Sequence, residues 1–472
     1  MRKWQPFLAS LIILIPLALG VTGHPISTAL EHSRALVQLQ QARQTGDSGA
    51  EMSAIEFILA FTPWRGELWQ RAGRLYLDTG QVERAILAFE QSEKRGELDG
   101  QGKIWLLDAL IAAGRLADAR EVVKSAHLQD PFLLTQAAAI LRKAGELEGA
   151  REALIETNRL DLDNDEVKYQ IGVLSMVEDP DLAQQAFQMV QADLQRQANA
   201  RYLLEVIHSR TDNENPSGWR LIAGQALSQV GEWDAAKQAF QSIVNEDPEN
   251  ARAWAMLGEA QQHNNQDGKA SLEKAYALDA HDELVNALLG LYYRRQGNTT
   301  QALVYLEQAL KINPMAAVWR MEIGGALADA GRLEEALDQY KAAVEINRND
   351  PKSWFALAKF SISRNYQVED NGLGAARQAV VLAPDNPVYL DLLGTAYLTL
   401  GDMDNAERCF VQALRLDPEQ AAILIHLGQV SYSRGQKENA FAYWRRASTS
   451  ARNDRLKEMA ERLLQENNGG GD

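Results

Sequence analysis

A glycine returns along this chain at intervals close to 34 residues, and this repetition constrains the fold more than any other sequence feature. Four of the eight intervals are 34 residues, and an alanine stands five residues after every one of these glycines but the first. The positions are Gly46, Gly80, Gly114, Gly145, Gly231, Gly297, Gly331, Gly401 and Gly435. A self-similarity of this length predicts a stack of helix pairs, because one such unit cannot bury its apolar face alone.

The residue types within each period fit two antiparallel helices, A and B, joined by a tight turn. The recurring glycine ends helix A, where a residue at positive φ satisfies the last carbonyl groups without steric strain. Six of these glycines have another glycine seven residues earlier, as Gly401 has Gly394. We expect that earlier glycine and the later alanine to lie on facing helix surfaces, where small side chains permit close approach.

One stretch carries nearly the whole pattern of a known repeat. It resembles the tetratricopeptide repeat family, whose members have an aromatic, Leu-Gly and Tyr in helix A, then Ala, an aromatic, Ala and Pro. The corresponding residues are Leu390, Leu393, Gly394, Tyr397, Gly401, Ala406, Phe410, Ala413 and Pro418. The resemblance covers about nine tenths of the chain. It implies an all-α, right-handed superhelical solenoid of about 12 antiparallel helix pairs.

Interruptions of the repeat predict how the chain is divided. Thr211–Gly218 is dense in turn formers and has no apolar residue, which indicates a linker. Leu456–Leu464 has apolar residues at helical spacing, which indicates a capping helix over the last repeat. The predicted segments are an apolar signal-anchor or transmembrane helix (1–25), an N-terminal repeat arm (32–195), an extra helix and linker (196–216), a C-terminal repeat arm (217–452), the capping helix (453–466) and a disordered tail (467–472).

The N-terminus predicts where the repeats lie. Arg2 and Lys3 precede Phe7–Val21, in which Ser10 is the only polar residue. Positive residues before an apolar run keep that end in the cytoplasm, so we expect a single-pass protein of the cytoplasmic membrane with its repeats outside. The run is short for a spanning helix. The alternative is a cleaved signal, which would leave a secreted or periplasmic chain.

Charge and composition argue against several functional classes. The formal net charge is −16 and no long basic run is present, so nucleic acid is not an expected partner. The seven histidines are scattered, and Asp161–Glu166 lacks the glycine of a calcium loop. Arg294 and Arg295 are interpreted as a solvated pair, and the lone Cys409 as a small apolar residue. We predict no catalytic site, no metal and no cofactor, and therefore no enzyme.

The resemblance implies that helix A lines an inner groove. Carried onto this sequence, the groove positions give a candidate partner site comprising Tyr169, Leu221, Met256, Leu288, Leu291, Met321, Phe355 and Leu392. An apolar wall with two methionines suits an extended or helical peptide, because methionine adapts to varied shapes. The alternative is that these side chains pack between neighbouring helices.

Two functional classes fit these features. The first is a non-enzymatic scaffold on the outer side of the cytoplasmic membrane, holding a peptide or protein partner for secretion, envelope or surface-polymer assembly. The second is an accessory glycan-binding subunit of a polysaccharide export or synthesis system, with aromatic side chains as stacking platforms. Leucine, methionine and valine at the groove positions favour a peptide over a sugar. The sequence predicts no oligomeric state.

Overall fold

The computed structural model describes residues 25–124, 130–191, 194–210, 215–451 and 454–468. Within these ranges the chain forms 26 α-helices and one short π-helix, and it contains no strand. In chain order, 24 of the α-helices form 12 successive A/B pairs, as the repeat pattern predicts. The chain divides into two compact units, residues 1–239 and 240–472, each of which is described by itself.

The first unit contains five helix pairs, an additional helix and the start of a sixth pair. Its helices are α1 (Pro25–Thr45), α2 (Ser48–Phe61), α3 (Gly66–Asp78), α4 (Val82–Glu93), α5 (Gly100–Ala112), α6 (Leu116–Lys124), α7 (Pro131–Lys143), α8 (Leu147–Leu160), α9 (Asp165–Ser175), α10 (Pro180–Gln188), α11 (Leu194–His208) and α12 (Pro216–Gln229). The boundary between the units falls within α13 (Trp233–Glu246).

The second unit contains six complete pairs and a final helix. Its helices are α14 (Ala251–His263), α15 (Lys269–Leu278), α16 (Glu283–Arg295), α17 (Thr299–Ile312), α18 (Ala317–Asp329), α19 (Leu333–Ile346), α20 (Pro351–Ser363), α21 (Leu373–Leu382), α22 (Pro387–Thr399), α23 (Met403–Leu416), α24 (Ala421–Ser433), α25 (Lys437–Ser450) and α26 (Asp454–Asn468). The π-helix, Val368–Gly372, lies between α20 and α21.

The turn between helices A and B is built as the glycine pattern predicts. All nine recurring glycines have φ between 71° and 85°. The two intervals that depart slightly from two full periods, 66 and 70 residues, each contain a turn without glycine. There the positive φ belongs to asparagine, with φ 57° at Asn265 and 47° at Asn365. Asparagine visits this region more readily than other non-glycine residues, so the turn geometry continues through repeats that lack the glycine.

Close approach within a pair depends on the predicted small residues. A Cβ atom on Gly394 would lie 2.5 Å from Cε1 of Phe410. Ala406, Phe410 and Ala413 are fully buried beside it. The same relation recurs where a Cβ on Gly73 would meet the Phe89 ring. The phenylalanine of helix B therefore occupies the space that a side chain on helix A would need.

Several expected segments differ from the structure or lie outside it. Residues 1–24 are outside the described ranges, so the expected apolar helix is not described. Among the helices that are described, none is both long and apolar enough to span a bilayer. The tail expected to be disordered begins inside α26, where the Asn467 side chain donates to the Leu463 carbonyl at 2.8 Å. Residues 469–472 lie outside the described ranges.

The extra helix also has a different role from the one expected. The sequence placed the division of the chain at 196–216, whereas the units divide within α13. Ala200, Leu203 and Ile207 of α11 are buried. In the same unit, Oη of Tyr202 on α11 donates to Oε1 of Gln229 on α12 at 2.6 Å. Helix α11 is thus packed into the first unit. Residues 211–214 of the expected linker lie outside the described ranges.

Candidate functional site

The candidate groove residues fall into a half-buried set and a buried set. The half-buried side chains retain some exposed surface that a partner could contact. They are Leu221 in the first unit and Met256, Leu291, Met321, Phe355 and Leu392 in the second. Tyr169 and Leu288 are 3% and 7% exposed. Leu288 belongs to the apolar core of α14–α17, beside Val285 and Leu289. Tyr169 and Leu288 therefore offer no contact surface.

Tyr169 is buried beside an acidic turn of its own unit. This acidic turn comprises Glu232 and the first two residues of α13, Trp233 and Asp234; it follows Gly231 and lies on Arg142 of α7. Nη2 of Arg142 is 2.6 Å from Oε2 of Glu232 and 2.7 Å from Oδ1 of Asp234. Nη1 of Arg142 also donates to the side chain of Gln170. Burial, together with the negative charge of Glu232, raises the pKa of Tyr169 well above its ordinary value.

The positive charge of Arg142 is balanced by the carboxylates of Glu232 and Asp234. Burial alone would lower the pKa of Arg142, but Asp234 and Glu232 outweigh it and raise that pKa. Burial alone would raise the pKa of Asp234, but the hydrogen bond and charge of Arg142 hold it below its ordinary value. The cluster joins residues about ninety positions apart, and no repeat motif predicts it. At this point the A-helix surface of the first unit is covered by the chain itself.

In the second unit, the A helices α14, α16, α18, α20, α22 and α24 present one surface, which we call the A-face. It comprises the half-buried apolar candidates of these helices and the charged side chains that link neighbouring A helices. Three of the five steps between successive A helices are bridged by Arg–carboxylate ion pairs, and a fourth is bridged by a His–Asp hydrogen bond. The bridges are Glu259 Oε2–Arg295 Nη1 (2.8 Å), Glu322 Oε2–Arg294 Nη1 (2.6 Å), Asp329 Oδ1–Arg364 Nη2 (2.6 Å) and Asp391 Oδ1–His426 Nδ1 (2.7 Å).

These bridges correct the interpretation of Arg294 and Arg295 as a solvated pair. Each guanidinium points to a carboxylate on a different neighbouring helix, so the two residues join three A helices. The Arg294 guanidinium lies against Gly325, where a Cβ atom would collide with it. Burial would lower the pKa of Arg294, but Glu322 and Asp329 raise it above its ordinary value. Sequence reasoning missed this role, because partners on adjacent repeats are separated by about one repeat length.

The remaining step, from α20 to α22, is apolar. The rings of Phe355 and Tyr389 lie 5.0 Å apart at 38°. Across the described residues of these two helices, no hydrogen bond or ion pair connects them. Val388 beside this contact is 43% exposed, and Val318 on α18 is 45% exposed. The apolar part of the A-face is therefore most accessible around α20.

The tryptophans at the first aromatic position of the repeat are used internally. Each indole N–H donates to a carbonyl six residues earlier. The bonds are Trp69 Nε1 to Pro63 O (2.9 Å), Trp254 Nε1 to Pro248 O (2.8 Å) and Trp354 Nε1 to Arg348 O (2.8 Å). These hydrogen bonds connect helix A to the segment that precedes it. Their N–H groups are consequently not free to bind a sugar hydroxyl.

Other candidate chemistry has ordinary structural explanations. Asp161–Glu166 spans the turn from α8 to α9, where the Asn164 side chain accepts from the Val167 N–H at 3.2 Å. Burial raises the pKa of Cys409 to about 11, so it is a neutral thiol at pH 7. Throughout the described ranges, no three His, Cys, Asp or Glu side chains are grouped as metal ligands. A depression of about 690 Å³ lies between α1 and α2, away from the candidate residues.

Comparison with known families identifies the repeat. A family model described as "Tetratricopeptide repeat" matches residues 71–131, 223–283, 287–353 and 392–454. Together these ranges make up more than half of the chain. The matched ranges fall in both compact units. In the second unit they include most of α16 and all of α18 and α24, which are A helices of the A-face.

Curated relatives share part of the chain. The BBSome complex member BBS4 of Bos taurus is 23% identical over 176 residues, which are 37% of this chain and 33% of that protein. The peroxisomal targeting signal receptor of Komagataella phaffii is 25% identical over 226 residues, 47% of this chain and 33% of the receptor. The chain thus spans about a third of the length of these relatives. Among solved structures, yeast Tom70 is similar at 14% identity and a TM-score of 0.45, covering 92% of this chain and 95% of Tom70.

Proposed function

Because the chain belongs to the tetratricopeptide repeat family, we propose that it is a non-enzymatic scaffold that holds a peptide or protein partner on its A-face. Proteins of this family generally act as protein-interaction scaffolds. The two relatives named above, a peroxisomal targeting signal receptor and a BBSome complex member, are in keeping with a protein partner.

The observation that carries the proposal is the apolar step between α20 and α22. Elsewhere on the A-face, neighbouring A helices are connected by ion pairs or by the Asp391–His426 hydrogen bond, whereas here two rings meet and apolar side chains keep exposed surface. Met321, Phe355 and Leu392 lie on three successive A helices around this step. Apolar surface flanked by polar residues is typical of a recognition site for a peptide.

No observation favours the glycan-binding alternative. Stacking platforms for sugars need aromatic faces with free polar groups nearby. The tryptophans discussed above bond to their own backbone, and the one aromatic among the half-buried candidates, Phe355, packs on Tyr389. A peptide remains the partner that the A-face fits best.

The location of the scaffold is a proposal from sequence alone. Arg2 and Lys3 before Phe7–Val21 support export of the repeats and retention at the membrane, with roles in secretion, envelope or surface-polymer assembly. Alkaline carbonate extraction followed by N-terminal sequencing tests this. We expect an intact N-terminus in the membrane fraction. A soluble chain that begins near His24 would replace the anchor with a cleaved signal.

Selection from a random peptide display library on the full chain tests the scaffold function. Enriched peptides should bind the wild type and bind Met321→Glu/Leu392→Glu at least about tenfold more weakly, since a charge would enter the apolar contact. Val304→Glu/Val381→Glu is the matched control, because both valines are exposed on B helices of the same unit. Circular dichroism melting confirms that both variants fold. Selection that yields no peptide sensitive to the A-face change would refute the proposal.

A further inference from the structure

Exposed aromatic side chains are concentrated in one short segment of the first unit. Among the described residues, four phenylalanine and tryptophan side chains are exposed, and three of them lie within eight residues. They are Phe57 and Phe61 of α2, at 37% and 40%, and Trp64 just beyond it, at 66%. The fourth is Phe132 of α7, also at 66%. Single exposed aromatics are ordinary, but a group of them marks an interaction surface.

Phe57, Phe61 and Trp64 together are called the edge patch. The rings of Phe57 and Phe61 lie 5.1 Å apart, and Phe57 also borders the depression between α1 and α2. Trp64 is the third residue after α2 ends. Its indole N–H forms no hydrogen bond with any described residue, whereas that of Trp69 donates to a backbone carbonyl. The Trp64 ring therefore offers an apolar body together with a free polar group.

The edge patch lies where the N-terminal segment joins the described chain. The ring centres of His32, in the first half of α1, and Phe61, the last residue of α2, lie 6.5 Å apart. His32 is seven residues after Pro25, which is about 10 Å along the helix axis. The start of α1 is therefore close to the edge patch. Only three residues separate Pro25 from the apolar run Phe7–Val21.

From this arrangement we propose that the edge patch rests on the surface of a phospholipid bilayer, beside the point where the apolar run enters it. This inference rests on the proposed retention at the membrane and adds a second point of contact to it. Aromatic side chains suit this place, since amphipathic rings such as that of tryptophan prefer the boundary between headgroups and acyl chains. Two points of contact fix the orientation of the first unit on the membrane, which a single attachment would leave free.

Photoactivatable lipids at two depths test this contact on the full chain. The chain is reconstituted in vesicles of neutral phosphatidylcholine, so that its net charge of −16 is not repelled. One lipid carries a diazirine near the glycerol end of its acyl chain, and the other carries it at the methyl end. On illumination the diazirine loses nitrogen, and the resulting carbene inserts into a nearby C–H bond. Mass spectrometry of tryptic peptides then locates the labelled segments.

We expect a different pattern for each of three peptides of the wild type. Peptide 4–34, which contains the apolar run, should be labelled by both lipids. Peptide 44–65, which contains the edge patch, should be labelled by the shallow lipid only, because interfacial side chains enter a bilayer by about 5–10 Å. Peptide 125–142, which contains the equally exposed Phe132, should be labelled by neither lipid.

Two variants separate contact from proximity to the apolar run. Phe61→Ser/Trp64→Ser removes two rings of the edge patch. It should lower the shallow labelling of peptide 44–65 at least about fivefold, since little apolar surface is left to bury. Phe132→Ser is the matched control and should leave that labelling unchanged. Circular dichroism melting confirms that both variants fold.

The outcomes distinguish this contact from the other proposals. Labelling of peptide 4–34 without labelling of peptide 44–65 would overturn the membrane contact, and so would equal labelling of peptide 44–65 in the wild type and the double variant. Release of the chain from membranes in the carbonate extraction would remove the contact together with the anchor. Peptide capture by the A-face is tested separately by the display selection.

Discussion

At the scale of single residues, two glycines of one repeat are required for different reasons. Gly401 has φ 80° and open space where a Cβ atom would point. Gly394 has no positive φ, but a Cβ there would meet the ring of the fully buried Phe410. The turn glycine is thus a backbone requirement, and the helix glycine is a packing requirement. The sequence pattern places both residues but cannot by itself separate the two causes.

Substitution distinguishes these causes. Gly394→Ala should lower the free energy of unfolding by about 1–3 kcal/mol through overpacking. Combined with Phe410→Leu it should cost less than the sum of the single changes, because the ring that causes the clash is gone. Gly401→Ala should cost about 1–2 kcal/mol through backbone strain and add fully to Phe410→Leu. Urea unfolding of the three single and two double variants measures the coupling. Additive behaviour of the Gly394 pair would contradict the packing explanation.

The asparagine turns show where the residue pattern becomes insufficient. Asn265 and Asn365 take the place of the turn glycine with the same sign of φ. Their repeats depart from 34 residues, and in the second of them Gln367 also has φ 49° before the π-helix Val368–Gly372. In the sequence, the irregular intervals of 66 and 70 residues indicated that these two repeats differ from the others. Asparagine is too common in ordinary loops for its presence alone to predict a positive φ.

At the scale of elements, the first unit is held together by a contact that no repeat supplies. Arg142 near the end of α7 binds Glu232, which precedes α13, and Asp234 in the first turn of α13. The side chains of Arg142, Glu232 and Asp234 are 23%, 15% and 26% exposed. Loss of the cation would leave two carboxylates in a site that excludes most water. The network therefore stabilises the unit against local opening of this turn.

Arg142→Met should reduce the free energy of unfolding at pH 7 by about 2–4 kcal/mol, near the range for a broken buried pair. Because the folded state lowers the pKa of Asp234, its stabilisation is present above the ordinary carboxyl pKa and is lost as the pH falls through the folded value. The difference between wild type and variant should therefore shrink below about pH 4. Urea unfolding at several pH values, with hydrogen exchange to locate the opening at α13, measures this.

Arg159→Met is the matched control, because Arg159 is 73% exposed and pairs with Glu156 of the same helix. It should change the free energy of unfolding by less than about 0.5 kcal/mol. If Arg142→Met lowers the free energy of unfolding no more than Arg159→Met does, or if its effect does not depend on pH, packing alone holds the acidic turn.

At the scale of the whole molecule, periodicity predicts the number of helix pairs and the turns between them. It predicts less well which face is accessible, because repeats differ in what covers them. Leu288 and Tyr169 occupy groove positions of the repeat, yet one joins an apolar core and the other lies beside the acidic turn. The division within α13 likewise coincides with no interruption of the sequence repeat. Contacts between residues on different repeats leave no short motif in the sequence.

The central claim is that partners bind the A-face around α20 and not the B helices, and site-specific photocrosslinking in cells tests it most directly. A benzophenone amino acid replaces Val388 on α22 or, for comparison, the more exposed Val381 on α21. We expect a discrete protein adduct from position 388 that is absent from position 381 and disappears when Met321→Glu/Leu392→Glu is added. Equal adducts from both positions, or an adduct at 388 that persists in the A-face variant, would contradict the claim.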